Sequence, residues 1–288
     1  MPYTPTVRGR RVARELKRLR LSAGLTGEQA VAEIGWDTAK LSRMENAKMR
    51  ITSGEVMELL EVYGISGDQR TELVRLAREA RQKGWWHSYE DVIKSGFNDY
   101  LGLEAEAFGY HCYDTQLVPG LFQTADYATA VFRGAAPRTT VEVERNVEAR
   151  LARKDRLFDS EQPLNVWQIV EEGALRRIVD GPTTMHAQLR HLQELAELPN
   201  VSLQILPFIA GVHPAIDGPF TLLTFDGYPD VLYAEHVAGC VYMEKPDQTR
   251  RGKVIFDHLR ASALNAKDSV SLIRTMIDSV PRQERDAQ

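Results

Sequence analysis

Apolar positions in the first 83 residues recur every three or four residues, which is the spacing of amphipathic helices. The first helix carries such positions at Val12, Leu16, Leu19 and Ala23. Residues that cap helix starts predict three further helices, beginning at Thr26, at Asp37, and at Ser53 or Thr52. A fifth apolar pattern runs from about residue 68 to 82. The sequence therefore predicts an all-α N-terminal domain of five helices.

The rest of the chain mixes helical spacing with short runs of aliphatic and aromatic residues. Predicted helices lie at 94–108, 122–133, 139–158, 183–197, 246–263 and 267–279. Predicted strands lie at 164–170, 201–208, 220–225, 231–237 and 240–245. The last three strands follow one another closely, as in an antiparallel meander. We therefore predict a C-terminal α+β domain with a mostly antiparallel sheet.

The segment "KGWWHSYEDV" separates the two patterns. Trp85 and Trp86 are adjacent, so both cannot face the core from one helix, and regular helix is expected to end there. We predict a boundary between domains 1–83 and 84–288. The two tryptophans, with Tyr89, are expected either to dock the first domain on the second or to line an effector pocket between them.

Charge is distributed unevenly between the predicted domains. The whole chain is 43% hydrophobic and 26% charged, as in an ordinary folded protein, and its net charge is −4. Residues 1–83 hold 16 basic and 11 acidic residues, a net charge of +5, which leaves −9 on the remainder. A basic first domain suggests a polyanionic partner, although chance could produce this asymmetry.

Targeting signals are not evident in the sequence. No apolar run approaches the ~20 residues of a membrane helix, and the basic N-terminus is not followed by the apolar segment of a signal peptide. We therefore expect a cytoplasmic protein with no membrane partner.

The stretch "WDTAKLSRMENAKMR" holds the third predicted helix, which has two unlike sides. Leu41 and Met44 share an apolar side, while Thr38 and Ser42 share a side of small residues that allows close approach to another surface. A short helix and a turn at Gly35 precede it. This is the helix-turn-helix layout, in which the second helix enters the DNA major groove. Three-helix packing units in enzymes can imitate it.

The chemistry of these residues suits double-stranded DNA. Arg43 can donate two hydrogen bonds to guanine, and small side chains can contact the thymine methyl group. We predict base reading by Thr38, Ala39, Lys40, Ser42 and Arg43. Backbone amides at a helix start and side chains of the following loop can hold phosphates. These predicted phosphate-binding residues are Thr26, Gly27, Asn46, Lys48 and Arg50.

The segment "LTGEQAVAEIGWDTAKLSRMENAKMRITSGEVMELLEVYGI" resembles the Cro/repressor-like helix-turn-helix family, also called XRE. The segments "LVPGLFQTADYATAV", "LPNVSLQILPF" and "DGPFTLLTFDGYPDVLYAEHVAG" are similar to actinobacterial transcriptional regulators of the WhiJ type. The likeness runs from about residue 8 to 279. It implies a cytoplasmic regulator whose C-terminal domain has no assigned biochemistry. Such regulators are often encoded beside a small partner protein in an antitoxin-like arrangement.

The resemblance also implies particular residue roles. By matching motif positions, Arg20 should reach Glu45 in a buried ion pair that braces the third helix. Gly27 stands where the family usually has a contacting side chain, so it should offer only backbone. Ala47 replaces the common glycine after the third helix, so the turn there is expected not to need a positive φ.

Candidate sites in the C-terminal domain carry weaker signals. Gln123 and Thr124 in "LVPGLFQTADYATA" could form a partner or ligand surface, or a structural corner packed by its apolar neighbours. Glu171 and Glu172 are adjacent, so in an extended chain their carboxylates would face opposite ways.

No catalytic motif is present in the sequence, so we expect no enzyme. His236 and Cys240 have half of a metal-site spacing, but we predict a strand and turn there and expect no metal or cofactor. Cys112 and Cys240 are expected to be buried free thiols.

These observations lead to two main hypotheses. The first is a homodimeric regulator that binds a DNA operator and uses its C-terminal domain to dimerise or to bind a partner or a small-molecule effector. The second is an antitoxin-like interaction protein that mainly binds a small acidic protein from a neighbouring gene, with DNA binding secondary. An enzyme with a DNA-binding domain is a third, weaker hypothesis.

Overall fold

The chain divides into two compact units in the computed structural model. The N-terminal unit comprises Met1–His87 with Asn98–Leu103, and the C-terminal unit comprises Ser88–Phe97 with Glu104–Gln288. The structure describes residues 7–80, 84–94, 96–226 and 229–281. The predicted boundary between residues 83 and 84 stays a prediction. No helix among these residues is long and apolar enough to cross a membrane.

The N-terminal unit is helical, as predicted. Its helices are α1 (Val7–Ser22), α2 (Gly27–Ala32), α3 (Thr38–Glu45), α4 (Ser53–Val62) and α5 (Gly67–Glu79). The predicted end of the last helix, at residue 82, lies outside the described residues. Buried apolar side chains from these helices form one core, among them Val12, Leu16, Ala30, Val31, Leu41, Met44, Val56, Leu59, Leu60 and Leu73. Fully burying a side chain such as Leu contributes about 1.5–3 kcal/mol, so this core fixes which side of α3 faces outward.

Short-range capping sets the starts of three of these helices. Thr26 and Gln29 form a reciprocal capping box at α2, and Asp37 accepts the backbone N–H of Ala39 at α3. Thr52 caps α4 in a second box with Glu55. Each cap satisfies backbone donors that lack a partner within the helix.

The turn after α3 differs from the expectation for Ala47. This residue has φ of 52°, in the left-handed region. Its N–H donates to Met44 O at 3.0 Å, and the N–H of Lys48 donates to Arg43 O at 2.7 Å. The prediction was wrong because the last carbonyls of α3 need these donors, and only a left-handed residue brings both into place.

The C-terminal unit contains a six-stranded mixed sheet flanked by helices. Its strands are β1 (Gly109–Asp114), β2 (Asn165–Glu171), β3 (Val201–Leu206), β4 (Phe220–Thr224), β5 (Val231–His236) and β6 (Gly239–Met243). The order is β3-β2-β1-β4-β5-β6. Strands β1, β2 and β3 pair in parallel, while β4, β5 and β6 extend the sheet in antiparallel pairs.

The α+β class is confirmed, but the prediction of a mostly antiparallel sheet was wrong. Strand β1 was not predicted, and it lies at the centre of the order. Long connections that contain helices join β1 to β2 and β2 to β3, and such crossovers return the chain in a parallel direction. The meander at β4 to β6 is antiparallel, as predicted.

The helices that follow α5 are α6 (Phe97–Glu106), α7 (Ala125–Ala135), α8 (Thr140–Ala152), α9 (Glu172–Arg176), α10 (Pro182–Leu195), α11 (Pro246–Ser262) and α12 (Ala266–Ser279). Short 3₁₀ helices lie at Trp85–Tyr89, Gly120–Phe122, Arg153–Leu157 and Phe208–Ala210. Helix α11 packs on β3, β4 and β5, and α7 packs on α8 and α10.

Candidate nucleic-acid interface

Helix α3 presents most of the predicted base-reading residues on its outer side. Thr38, Ala39, Ser42 and Arg43 are exposed. On the opposite side, Leu41 and Met44 are 2% and 0% exposed. The side chain of Arg43 makes no ion pair with the residues that the structure describes. The outer side therefore combines small residues with an available guanidinium.

Lys40 lies in a different environment from the other predicted base readers. Its ammonium is 2.8 Å from Glu55 Oε1 on α4 and 3.6 Å from the centroid of the Trp36 ring. Burial alone would raise the pKa of Glu55, but hydrogen bonds from Lys40 and Thr52 lower it below its ordinary value. A base contact by Lys40 would require its ammonium to leave both partners. Trp36 lies before the N-cap Asp37 and outside α3, so helical spacing in the sequence does not indicate this contact.

The loop after α3 carries the predicted phosphate contacts. Lys48 and Arg50 are exposed, and the backbone bond from Lys48 to Arg43 holds this loop against the end of α3. Asn46 closes the helix, because its Nδ2 donates to Ser42 O at 2.7 Å. The structure therefore places two cations beside the end of α3 that carries Arg43.

The start of α2 holds the other two predicted phosphate contacts. The N–H of Thr26 already donates to Gln29 Oε1 at 2.8 Å, so it is engaged within the capping box. Gly27 is half-buried, and a Cβ at that position would lie 4.0 Å from Leu41 Cδ2. Gly27 therefore sits beside α3. Phosphate binding at both residues stays a prediction.

The structure brings Arg20 and Glu45 together. Arg20 Nε donates to Glu45 Oε1 at 2.6 Å, and Arg20 Nη2 donates to Glu45 Oε2 at 2.9 Å. Arg20 Nη1 donates to Leu25 O at 2.7 Å. The side chains are only 11% and 5% exposed. This bidentate pair connects α1, the loop before α2 and α3, and its hydrogen bonds raise the pKa of Arg20 further.

The hydroxyl of Tyr63 lies buried near this ion pair, and no described residue forms a hydrogen bond with it. Burial raises the pKa of Tyr63, and the Glu45 carboxylate raises it further, while Arg20 lowers it. The phenol therefore stays neutral beside the pair.

The other predicted partner or ligand residues have separate positions. Trp85 and Trp86 are half-buried, and their rings meet edge to face at 5.9 Å. Their proposed roles stay predictions. Gln123 is only 2% exposed, so it cannot form part of a surface. Thr124 caps α7, and its backbone N–H donates to Gln188 Oε1 at 2.8 Å. The corner is packed by Leu121, Phe122 and Tyr127, each 0% exposed.

The remaining candidates do not form one cluster. Glu171 accepts from Tyr113 OH at 2.6 Å, whereas Glu172 accepts from Arg176 Nε at 2.6 Å. Cys112 and Cys240 are both free, but only the first is buried, so the prediction of two buried thiols was wrong for the second. Cys240 is on β6, on the edge of the sheet, which leaves it half-buried. Across the described ranges, no three His, Cys, Asp or Glu side chains are arranged to hold a metal ion.

Two family models match the chain. One, described as "Helix-turn-helix domain", matches residues 11–73. The other, described as "Domain of unknown function (DUF5753)", matches residues 97–275, which is more than half of the chain. No curated protein and no solved structure matches this chain. The first match includes all of α2, α3 and α4, so the exposed side of α3 belongs to a helix-turn-helix domain.

Proposed function

We propose that this protein is a sequence-specific DNA-binding transcriptional regulator. The chain belongs to the family described as "Domain of unknown function (DUF5753)" and carries a helix-turn-helix domain. The exposed side of α3 is the observation that carries the proposal. Within the matched helix-turn-helix domain, this side combines small residues with the exposed Arg43, which forms no ion pair with the described residues. A recognition helix needs both features, because its backbone must approach the groove closely while a long donor reaches the base edges.

The proposed interface separates base reading from phosphate binding. Arg43 donates to guanine, with Thr38, Ala39 and Ser42 closing against the neighbouring bases. Lys48 and Arg50 bind phosphates at the end of α3 and position the helix without reading sequence. The Arg20–Glu45 pair supports this arrangement, because it fixes α3 on α1 through a rigid bidentate contact.

The proposed regulator acts as an assembly of two chains. The regulator is of the XRE type and acts in the cytoplasm as a homodimer, since two recognition helices are needed to read half-sites about one helical turn apart. The C-terminal unit dimerises or binds a partner or effector. The proposal assigns no catalytic step to either unit.

The test is quantitative binding of the full chain to a sequence selected from random DNA and to a scrambled control. R43A is expected to lower the preference for the selected sequence about 10- to 100-fold, as lost guanine contacts typically do. K48A is expected to weaken binding to both sequences equally and to reduce the slope of log affinity against log salt by about one unit. R78A, which removes an exposed arginine on α5, is the matched control. An unchanged sequence preference in R43A refutes the role of Arg43.

One observation favours the alternative of an antitoxin-like interaction protein. The segment after β3 exposes four apolar side chains: Phe208, Ile209, Val212 and Ile216. Exposed apolar groups that are close in sequence are suited to a protein partner. The alternative predicts that a small acidic protein from a neighbouring gene co-purifies with the chain and abolishes DNA binding. Full DNA binding by the saturated complex would contradict it.

A further inference from the structure

Polar side chains form a row across one face of the sheet in the C-terminal unit. Register partners on five neighbouring strands make up this polar row: Gln168, Cys112, Thr221, Tyr233 and Tyr242. The first four are 0%, 4%, 5% and 6% exposed. The buried Gln168 Oε1 has no hydrogen-bond partner among the residues that the structure describes. The other members have partners: Cys112 Sγ lies 3.2 Å from Thr221 Oγ1, and the hydroxyls of Tyr233 and Tyr242 donate to Glu235 Oε2 and Gly96 O. Burying a polar atom without a partner costs stability, so Gln168 Oε1 calls for a reason beyond packing.

Asp114, at the end of β1, adds a carboxyl group next to the polar row. It lies two residues after Cys112 and therefore on the same face of the sheet. Its Oδ2 accepts from Cys112 Sγ at 3.2 Å and from Gln168 Nε2 at 3.1 Å. Burial raises the pKa of Asp114, which the charges of Arg153 and Arg150 partly oppose. The carboxyl is therefore held by the polar row and lies within the field of two arginines.

These two arginines differ in whether they form an ion pair. Arg153 forms a bidentate ion pair with Glu104, with bonds of 2.7 and 2.6 Å, and the two side chains are 7% and 4% exposed. Arg150, on α8, makes no ion pair with any residue in the described part of the chain. Asp114 and Glu235 act on it electrostatically, but neither contacts it. Arg150 is thus a cation that no carboxylate of the described residues contacts directly.

Arg150 is nevertheless held in a defined orientation. Its Nη1 donates to Gln123 Oε1 at 2.7 Å, and its guanidinium carbon lies 4.3 Å from the centroid of the Phe132 ring. Gln123 in turn donates to Val118 O at 2.8 Å, so the acceptor is fixed. A Cβ at Gly120 would lie 3.8 Å from Arg150 Nε. Stacking on one face and one bonded nitrogen leave the other donors of the guanidinium available.

The cost of this arrangement points to a ligand. Burial lowers the pKa of Arg150 to about 10, and the neighbouring Arg153 adds to this effect. Arg153, only 7% exposed, is paired, because an unpaired charge in low dielectric is strongly unfavourable. Arg150 is half-buried and forms no such pair with the described residues, so part of it stays open to solutes. A guanidinium that is already oriented and still has free donors is suited to bidentate binding of a carboxylate.

We propose that Arg150 on α8, held by Gln123 and Phe132, binds the carboxylate of a small organic acid. The planar guanidinium fork matches a carboxylate, and Phe132 and Gln123 preorganise it. Nothing in this proposal depends on DNA binding, so each of the two proposals can fail without the other.

The test measures the melting temperature of the full chain while sodium acetate replaces sodium chloride at constant pH and ionic strength. Acetate tenfold above its dissociation constant is expected to raise the melting temperature of the wild type by about 3–6 °C. R150Q is expected to lose this rise. R150K keeps a cation but lacks the fork, so its rise should be smaller. R133Q, which removes an exposed arginine on α7, is the matched control and should respond like the wild type.

A direct readout accompanies these melting curves. The ¹⁵N–¹H resonance of Arg150 Nε in the folded wild type should shift in a saturable way during the acetate titration. Equal acetate responses in the wild type and R150Q would show only a general salt effect and would overturn the proposal. The absence of any response in the wild type, in the melting temperature and in the Arg150 resonance, would overturn it as well.

Discussion

Removing one partner of the Arg20–Glu45 pair should destabilise the N-terminal unit strongly. The three bonds from Arg20 reach Glu45 twice and Leu25 O once. With Glu45→Met, the guanidinium keeps only the carbonyl while its side chain stays 11% exposed. With Arg20→Met, a carboxylate that is 5% exposed loses its countercharge, and Leu25 O loses its donor. Each single substitution therefore leaves a charge in a poorly solvated position.

The expected magnitude follows from this burial. Breaking a buried pair on one side costs about 3–5 kcal/mol, and the slight exposure here favours the lower end of that range. At about 1.4 kcal/mol for each tenfold change, the population of open states should rise about 100-fold. The double variant R20M/E45M should cost less than either single variant, because no charge remains unpaired.

Hydrogen exchange of the full chain provides the assay. The slowest backbone amides of α1 and α3 should exchange about 100-fold faster in each single variant and recover in the double variant. R18M is the matched control, since the Arg18–Glu15 pair is 53% and 34% exposed and should contribute within about 0.5 kcal/mol. The reasoning would be refuted if the exchange rates changed less than fivefold in R20M and E45M. It would also be refuted if the destabilisation of the double variant equalled the sum of the two single destabilisations.

Two further predictions concern the same unit. Ala47→Gly should stabilise the unit by about 0.5–1 kcal/mol, because glycine adopts the left-handed conformation of Ala47 without steric strain, at some entropic cost. Ala39→Gly within α3 should instead destabilise it. If urea unfolding gave changes of the same sign for the two variants, this reasoning would be contradicted. Glu55→Gln should lower the free energy of unfolding by up to about 1 kcal/mol at pH 7. Because the folded pKa of Glu55 lies below its ordinary 4.5, this contribution is present above pH 4.5 and is lost as the pH falls through the folded pKa. Calorimetry from pH 7 to 3 checks it against Glu58→Gln, and a pH-independent difference would count against it.

Local chemistry made the N-terminal unit predictable from sequence. A cap such as Thr26 with Gln29 acts over three residues, and the apolar spacing directly determines which side of α3 is buried. The reach from Arg20 to Glu45 spans 25 residues, and it came from the family resemblance rather than from spacing. Ala47 was missed because the backbone bonds at the end of α3 override the preference of the residue.

Non-local pairing made the C-terminal unit harder to predict. Strand β1 is short and mixes polar with apolar residues, and its partners lie more than fifty residues away at β2 and β4. Only the tertiary fold gives Arg153 its ion pair with Glu104 and places Arg150 against Gln123 and Phe132. The sequence shows two arginines three residues apart, and nothing in it reveals which of them forms an ion pair with a carboxylate.

Methylation interference on the selected DNA site tests the central claim most directly, because it places Arg43 at one atom of one base. A methyl group on guanine N7 blocks this major-groove acceptor, so a guanidinium can no longer donate to it, while base pairing is unchanged. We predict one guanine per half-site whose methylation weakens binding of the wild type but has no further effect on R43A. The same guanine interfering equally with both proteins, or no guanine interfering with the wild type, would contradict the account.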